Sequence, residues 1–250
     1  MVELMQKSMP SLRDWFETPL GGYLLAREQA LVDQMVSDVF GFNAMQLGLA
    51  QFDFLRMSRI PLRFAADDQA QAKLRTDARH LPLCGQCLDL LILPHVLEFS
   101  RHPHQILREA ERVLMPEGHV VIAGFNPWSL WGLWRVLRRT EREFPWCGRF
   151  ISLPRLKDWL ALLGFEITAG RMCCYVPPVN GENWLQRFRF TEHAGDRWCA
   201  MAGGVYLVQA KKRVAGMRLL TPSWNEKIAR EKALAAAAQK VGNLGPYRAK

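Results

Sequence analysis

The chain has 250 residues, of which 49% are hydrophobic and 23% are charged. A chain of this length and composition can bury one sizeable hydrophobic core. No stretch approaches the ~20 consecutive apolar residues of a membrane-spanning helix, and Glu3, Lys7 and Arg13 lie where a secretory signal would be apolar. The composition therefore predicts a cytoplasmic protein with one main domain.

The formal net charge of +9 is concentrated at the C-terminus. From Lys211 onward the chain has 10 basic and 2 acidic residues, which leaves 23 basic and 22 acidic residues before that point. The nearly neutral body argues against a nucleic-acid-binding core. The basic, alanine-rich composition of residues 214–250 predicts a solvated, partly helical or disordered tail. The alternative for this tail is attraction to an acidic partner or an acidic membrane surface.

Six cysteines without regular spacing do not form a disulfide framework in an intracellular chain. Only Cys84 and Cys87 have the spacing of half a zinc site or a redox pair. A structural zinc site needs about four ligands, and a second pair at matching spacing is missing. We therefore expect no metal and interpret the two thiols as part of a solvent-facing loop.

The apolar pattern predicts helices that alternate with strands. A capping Thr18 and Pro19 begin a long helix that ends near Gly41, within an N-terminal helical lead-in of residues 1–42. The apolar stripe of this helix is interrupted by Glu28. Further strands are expected at 43–49, 61–66, 75–77, 88–93, 119–125, from 165 onward and at 204–210, and further helices at 51–59, 102–114 and 153–164.

This alternation implies βαβ units and a doubly wound, mostly parallel sheet, whose ligand lies beyond the carboxyl ends of the strands. We expect the domain to span residues 43–213. An insertion at 176–202, between the last two strands, is rich in proline and aromatic residues. It is interpreted as an acceptor lid or an interface.

Three ordered segments carry a family resemblance. They are Asp-Ala-Arg-His-Leu-Pro at 77–82, Leu-Asp-Leu-Leu-Ile-Leu-Pro-His-Val-Leu-Glu at 88–98, and a helix at 106–114 that leads through Met-Pro-Glu-Gly into the strand before residue 122. Together they resemble the class I S-adenosylmethionine-dependent methyltransferases of the type 11 group. The resemblance implies a Rossmann-like α/β fold with seven strands, S-adenosyl-L-methionine as cofactor, and methyl transfer to a small or lipophilic acceptor.

The loop after the first strand departs from the family pattern. The family has an acidic residue followed by Gly-x-Gly-x-Gly, whereas this chain has Gln46, Gly48, Ala50 and Phe52. Because a Cβ hinders close approach of the backbone to a ligand, Phe52 is expected to be a serious obstacle. The alternative prediction is therefore a catalytically inactive, methyltransferase-like interaction module that has lost cofactor binding.

The resemblance also implies a set of site residues at the strand ends. Asp67 or Asp68 would accept hydrogen bonds from the ribose hydroxyls, and Asp77 would contact the adenine amino group. A solvated loop and a turn cap, respectively, are the alternatives. His95 is the candidate general base, with a structural histidine as the alternative. The full cofactor-binding set is Gln46, Gly48, Ala50, Asp67, Asp68, Asp77, Ala78, Leu93 and His95.

Three tryptophans at three-residue spacing follow the expected strand at 119–125. Trp128, Trp131 and Trp134 are expected either to lie near an acceptor pocket or to pack against the sheet. Arginines at 135, 138 and 139 follow, so an amphipathic contact with a membrane surface or an acidic partner is a further alternative.

Overall fold

The computed structural model describes residues 11–68, 72–138, 144–178 and 202–213. The expected tail and most of the insertion, at 179–201, lie outside the described residues. The chain divides after Val214 into two units, and every described residue belongs to the first. None of the helices in the described ranges is long and apolar enough to cross a bilayer.

Five helices and seven strands form the described domain. The helices are α1 (Leu12–Phe16), α2 (Pro19–Val36), α3 (Pro103–Val113), α4 (Leu130–Arg138) and α5 (Leu153–Leu162). The strands are β1 (Asn43–Leu47), β2 (Leu62–Asp67), β3 (Leu74–Arg75), β4 (Leu88–Pro94), β5 (Leu114–Phe125), β6 (Phe165–Cys173) and β7 (Val205–Lys212).

The strands make one sheet in the order β3-β2-β1-β4-β5-β7-β6. Only β7 runs antiparallel to its neighbours. One core layer contains α1, α2 and Trp131 of α4, and the other contains the apolar faces of α3 and α5. The predicted doubly wound, seven-stranded fold is thereby confirmed, and the carboxyl ends of β1, β2 and β4 meet at one edge of the sheet.

The segment 51–59 is a series of turns and not the expected brief helix. Side chains of β1 and β2 donate hydrogen bonds to carbonyl groups within and just before this segment. The Gln46 amide nitrogen donates to three loop carbonyls at 3.0, 3.0 and 2.8 Å, and the Arg63 guanidinium donates to three more. These carbonyls belong to Gly48, Leu49, Phe52, Leu55, Arg56 and Ser58.

Two further boundaries differ from expectation. Helix α2 ends at Val36, before the predicted end near Gly41. Pro-Glu-Gly at 116–118, which follows the expected helix, forms a bulge inside β5, because the register between β4 and β5 shifts within this stretch. Glu117 has a φ of 66° there, in the left-handed region that favours glycine.

Asp89 fastens the loop before β1 to β4. Its Oδ2 accepts hydrogen bonds from the backbone N–H groups of Phe42 at 2.7 Å and Asn43 at 2.9 Å. We expect Asp89→Ala to lower the free energy of unfolding by about 1–2 kcal/mol, because both donors lose a charged acceptor. Urea denaturation measures this loss. The exposed Asp158→Ala should change it by less than about 0.5 kcal/mol, and equal effects of the two variants would contradict the prediction.

Candidate cofactor-binding site

A cavity of about 810 Å³ opens at the carboxyl ends of β1, β2 and β4. Six of the nine expected cofactor residues line it, namely Gly48, Asp67, Asp68, Asp77, Ala78 and His95. The other three, Gln46, Ala50 and Leu93, are described but do not belong to the lining. The structure thus brings most of the expected set together at one edge of the sheet.

Gln46 is not part of the cavity lining, but its side chain holds the loop after β1 in place through hydrogen bonds. Its side chain is buried, its amide nitrogen binds the three loop carbonyls described above, and its Oε1 accepts from the backbone N–H of Phe54 at 3.0 Å. A carboxylate could not donate to carbonyl groups. The replacement of the family's acidic residue by glutamine therefore changes what holds this loop in place.

Phe52 does not obstruct the cavity, contrary to expectation. Its ring packs edge-on against Phe16 of α1, with ring centroids 5.6 Å apart, and it is not part of the cavity lining. The one remaining glycine stands where the geometry requires it. Gly48 has a φ of 87°, and a Cβ at this position would lie 2.8 Å from the Val96 side chain. The loop therefore stays open although two family glycines are absent.

Asp67 and Asp68 form a carboxyl pair on the wall. Asp67 accepts hydrogen bonds from the backbone N–H of Ala50 at 3.2 Å and of Asp68 at 2.8 Å. A hydrogen bond with the Asp67 side chain, followed by burial, raises the pKa of Asp68. Ala50 thus acts through its backbone, and Asp68 retains its proton more readily than an ordinary aspartate.

Asp77 forms a bidentate ion pair with Arg79, whose Nε lies 3.0 and 2.9 Å from the two carboxylate oxygens. Hydrogen bonds from the Arg79 side chain and backbone lower the pKa of Asp77 to about 2. Asp77 also accepts the Arg79 backbone N–H at 2.9 Å. It therefore caps the turn that carries Ala78, which agrees with the alternative interpretation and places Ala78 on the cavity wall.

A second glutamine supplies a test of whether a polar ligand fits. Gln51 lines the cavity, and its Nε2 is buried without a hydrogen-bond partner among the described residues. A buried donor without an acceptor costs about 1–3 kcal/mol. A ligand that offers an oxygen to this amide would remove that cost, so the residues present fit a polar molecule such as S-adenosylmethionine.

The N-terminal lead-in also contributes to the site. Ser11, Leu12 and Arg13 line the cavity, and the sequence interpretation did not include them. A signal for a helix start was present, because Ser11 and Asp14 form a capping box at the beginning of α1. This short helix places the arginine beside the strand ends.

His95 lies in a buried ionic cluster with Glu28 and Glu98. Its Nε2 is 2.7 Å from Glu28 Oε1, its Nδ1 is 3.2 Å from Glu98 Oε2, and the imidazole has no exposed surface. Burial alone would lower the pKa of His95, but the two carboxylates outweigh it and raise the pKa to about 10. The imidazole is therefore protonated at neutral pH and is not placed to act as the expected general base.

Sequence reasoning missed the importance of Glu28. This residue belongs to α2, in the lead-in, and is fully buried. The signal was its position as a charged residue within an otherwise apolar stripe. Because buried charges are paired, that position calls for a partner elsewhere in the fold, and His95 is that partner.

Cys84 and Cys87 are both free thiols, and Cys87 is poorly suited to act as a nucleophile. The Cys87 thiol donates to the Cys84 carbonyl at 3.0 Å. Burial, more than any other effect, raises the pKa of this thiol to about 11. A thiol with a raised pKa is a poor nucleophile at neutral pH. Within the described ranges no group of three or more His, Cys, Asp or Glu side chains is placed to hold a metal ion.

The tryptophans separate into core and surface positions. Trp131 is buried, stacks on Phe125 with ring centroids 5.9 Å apart, and donates its indole N–H to the Val176 carbonyl at 2.8 Å. Trp134 packs partly buried against the same core. Trp128, in contrast, is 77% exposed. Packing against the sheet is therefore the role of Trp131 and Trp134.

Comparison with known proteins agrees with this architecture. Residues 41–122 match the family model of the type 11 methyltransferase domain. The uncharacterized protein YafS of Escherichia coli (strain K12) is 30% identical over 156 residues, which are 61% of this chain and 65% of YafS. The match thus spans less than two thirds of that relative.

Solved structures share the fold at low sequence identity. A methyltransferase from Thermotoga maritima, described as a possible histamine N-methyltransferase, has a TM-score of 0.55 at 17% identity, covering 76% of this chain and 93% of its own. The N-methyltransferase NodS from Bradyrhizobium japonicum WM9, solved with S-adenosyl-l-homocysteine, has a TM-score of 0.51 at 12% identity, covering 78% and 89%. Residues 41–122 thus resemble the type 11 methyltransferase domain, and the described domain has the Rossmann-like fold of the solved methyltransferases.

Proposed function

We propose that this protein is a methyltransferase that uses S-adenosyl-L-methionine and acts on a small or lipophilic acceptor. The observation that carries the proposal is the open cavity of about 810 Å³ at the ends of β1, β2 and β4. Small-ligand sites occupy about 300–1,000 Å³. The ligand in the NodS structure, S-adenosyl-l-homocysteine, supports the choice of cofactor.

The lining residues match the groups of this cofactor. Gly48 leaves room for the backbone to approach a ligand, and the carboxyl oxygens of Asp67 and Asp68 offer acceptors to ribose hydroxyls. Ala78 would lie beside the adenine, and the Gln51 amide would donate to a polar oxygen. When bound, S-adenosylmethionine supplies a methyl group attached to a sulfonium.

The protonated state of His95 limits the chemistry that the site can support. A buried imidazolium between two carboxylates cannot accept a proton from the acceptor. The chain would therefore act mainly by holding the two reactants in line, which is itself a large source of rate acceleration. An acceptor atom that already has a free lone pair at neutral pH fits this arrangement best.

Calorimetry with S-adenosylmethionine and S-adenosylhomocysteine tests the proposal. We expect saturable binding and a higher melting temperature, because a ligand that binds only the folded state stabilises it. Gly48→Ala should weaken the affinity at least about 10-fold, since its Cβ enters a strained conformation against Val96. Gly22→Ala, whose Cβ would lie 3.7 Å from its nearest neighbour, is the matched control and should bind as the wild type does.

Two results would contradict the proposal. The first is the absence of binding at millimolar ligand by a cooperatively folded wild-type protein, which would favour the interaction module without cofactor. The second is unchanged affinity in Gly48→Ala, which would place the cofactor elsewhere. Thermal unfolding of each variant shows whether a loss of binding reflects a loss of folding.

A further inference from the structure

We propose that a second cavity binds an organic anion with a flat apolar body. This cavity, of about 340 Å³, lies between the loops after β4 and β5 and the helices α3 and α5. It shares no lining residue with the cofactor cavity. Val96 lines the first cavity and Leu97 lines the second, so the loop after β4 separates them.

The wall of the second cavity is aromatic. Trp128, Phe150 and Trp159 line it, and Trp128 remains 77% exposed. Covering exposed apolar surface is favourable by roughly 25 cal/mol per Å². The Trp159 ring is held in place by His104, with ring centroids 3.9 Å apart. A flat ring that stacks on these surfaces would cover the exposed indole.

The charge on the same wall is positive. Arg149 and Arg155 line the cavity, and no ion pair joins either guanidinium to another described residue. No aspartate or glutamate belongs to the described lining. Two guanidinium groups without a carboxylate partner suit a carboxylate, sulfonate or phosphate, which each can bind in bidentate fashion.

Both arginines are anchored near the aromatic wall. The Arg149 backbone N–H donates to the Glu98 carbonyl at 2.8 Å, and the Arg155 guanidinium lies 5.3 Å from the centre of the Trp159 ring. The Arg155 cation therefore lies over the Trp159 ring, in the same cavity as the exposed Trp128 on which a ring would stack. A ligand with an acidic group attached directly to a flat ring satisfies both features at once, and this binding does not depend on methyl transfer.

The experiment uses 2-naphthoate as the probe and 2-naphthamide as its uncharged control, both titrated by calorimetry into the full-length protein. We expect saturable binding of 2-naphthoate at one site, with 2-naphthamide at least about 10-fold weaker because it lacks the charge that guanidinium recognises. The double variant Arg149→Gln, Arg155→Gln should lose affinity by a similar factor. The exposed Arg108→Gln, on α3 and outside the cavity, is the matched control.

Competition separates this proposal from the cofactor site. Saturating S-adenosylhomocysteine should not displace 2-naphthoate, and Gly48→Ala should bind 2-naphthoate as the wild type does. Displacement by S-adenosylhomocysteine, equal affinity for 2-naphthamide, an equal loss in Arg108→Gln, or no binding of 2-naphthoate would each overturn the proposal. Thermal unfolding confirms that the double variant is folded.

Discussion

Glu28→Ala is expected to lower the free energy of unfolding by about 3–5 kcal/mol, because it removes one carboxylate from a buried ion pair. Glu28 and His95 are both fully buried and are joined by a contact of 2.7 Å. Without Glu28 the imidazolium keeps Glu98 alone, at 3.2 Å. The variant must then either bury an incompletely paired charge or release its proton, and both outcomes cost folding free energy.

Two further variants separate the charge from the packing. Glu28→Gln retains an oxygen that can accept the His95 hydrogen bond but lacks the charge, so its loss should lie between those of the wild type and Glu28→Ala. Glu17→Ala removes an exposed carboxylate 3.9 Å from Arg13 and should cost less than about 1 kcal/mol. Chemical denaturation measures all three. A loss in Glu28→Ala no larger than that in Glu17→Ala would refute the prediction.

The fold could be predicted because its central strand and helix each have a recognisable apolar pattern in the local sequence. The run at 88–93 is apolar because β4 is buried on both faces, and the stripe at 106–113 follows the face that α3 buries. These two features also carry the family resemblance. Conversely, the turns at 51–59 have no local signal, since they depend on side chains of β1 and β2 that reach back to bind the loop.

The position of the cavity at the strand ends was predictable, but the contacts of the residues around it were not. Strand-end positions such as Gly48, Asp67 and Asp77 could be chosen because parallel strands end at one edge. The environment of His95 could not, because its strongest partner lies 67 positions away in the chain. Phe52 was expected to obstruct the cavity because it stands at a glycine position of the family motif. Its ring instead packs on Phe16, a distant residue in the chain, and this contact could not be predicted from the motif.

The same cluster predicts that stability falls as the pH rises from 7 to 9.5. In the folded protein burial, which lowers the pKa of His95, is outweighed by Glu28 and Glu98, which raise it to about 10 from an ordinary value of 6.5. The folded state thus retains a proton that the unfolded state releases. The stabilisation is fully present below pH 6.5 and is lost progressively up to about pH 10. Over the measured interval the expected loss is about 3 kcal/mol.

Urea denaturation at half-unit pH steps measures this slope, and His95→Gln should remove most of it, because glutamine has no proton to lose. Burial also raises the pKa of Cys87, to about 11, and of Cys147, so these thiols add a smaller loss of stability at the upper end of this window, and that loss remains in His95→Gln. Two other described groups titrate outside the window. Burial lowers the pKa of His119, so that its titration affects stability below pH 7, and burial raises the pKa of Tyr206 well above 10. A slope as large in His95→Gln as in the wild type would therefore show that the imidazole between Glu28 and Glu98 is not the titrating group.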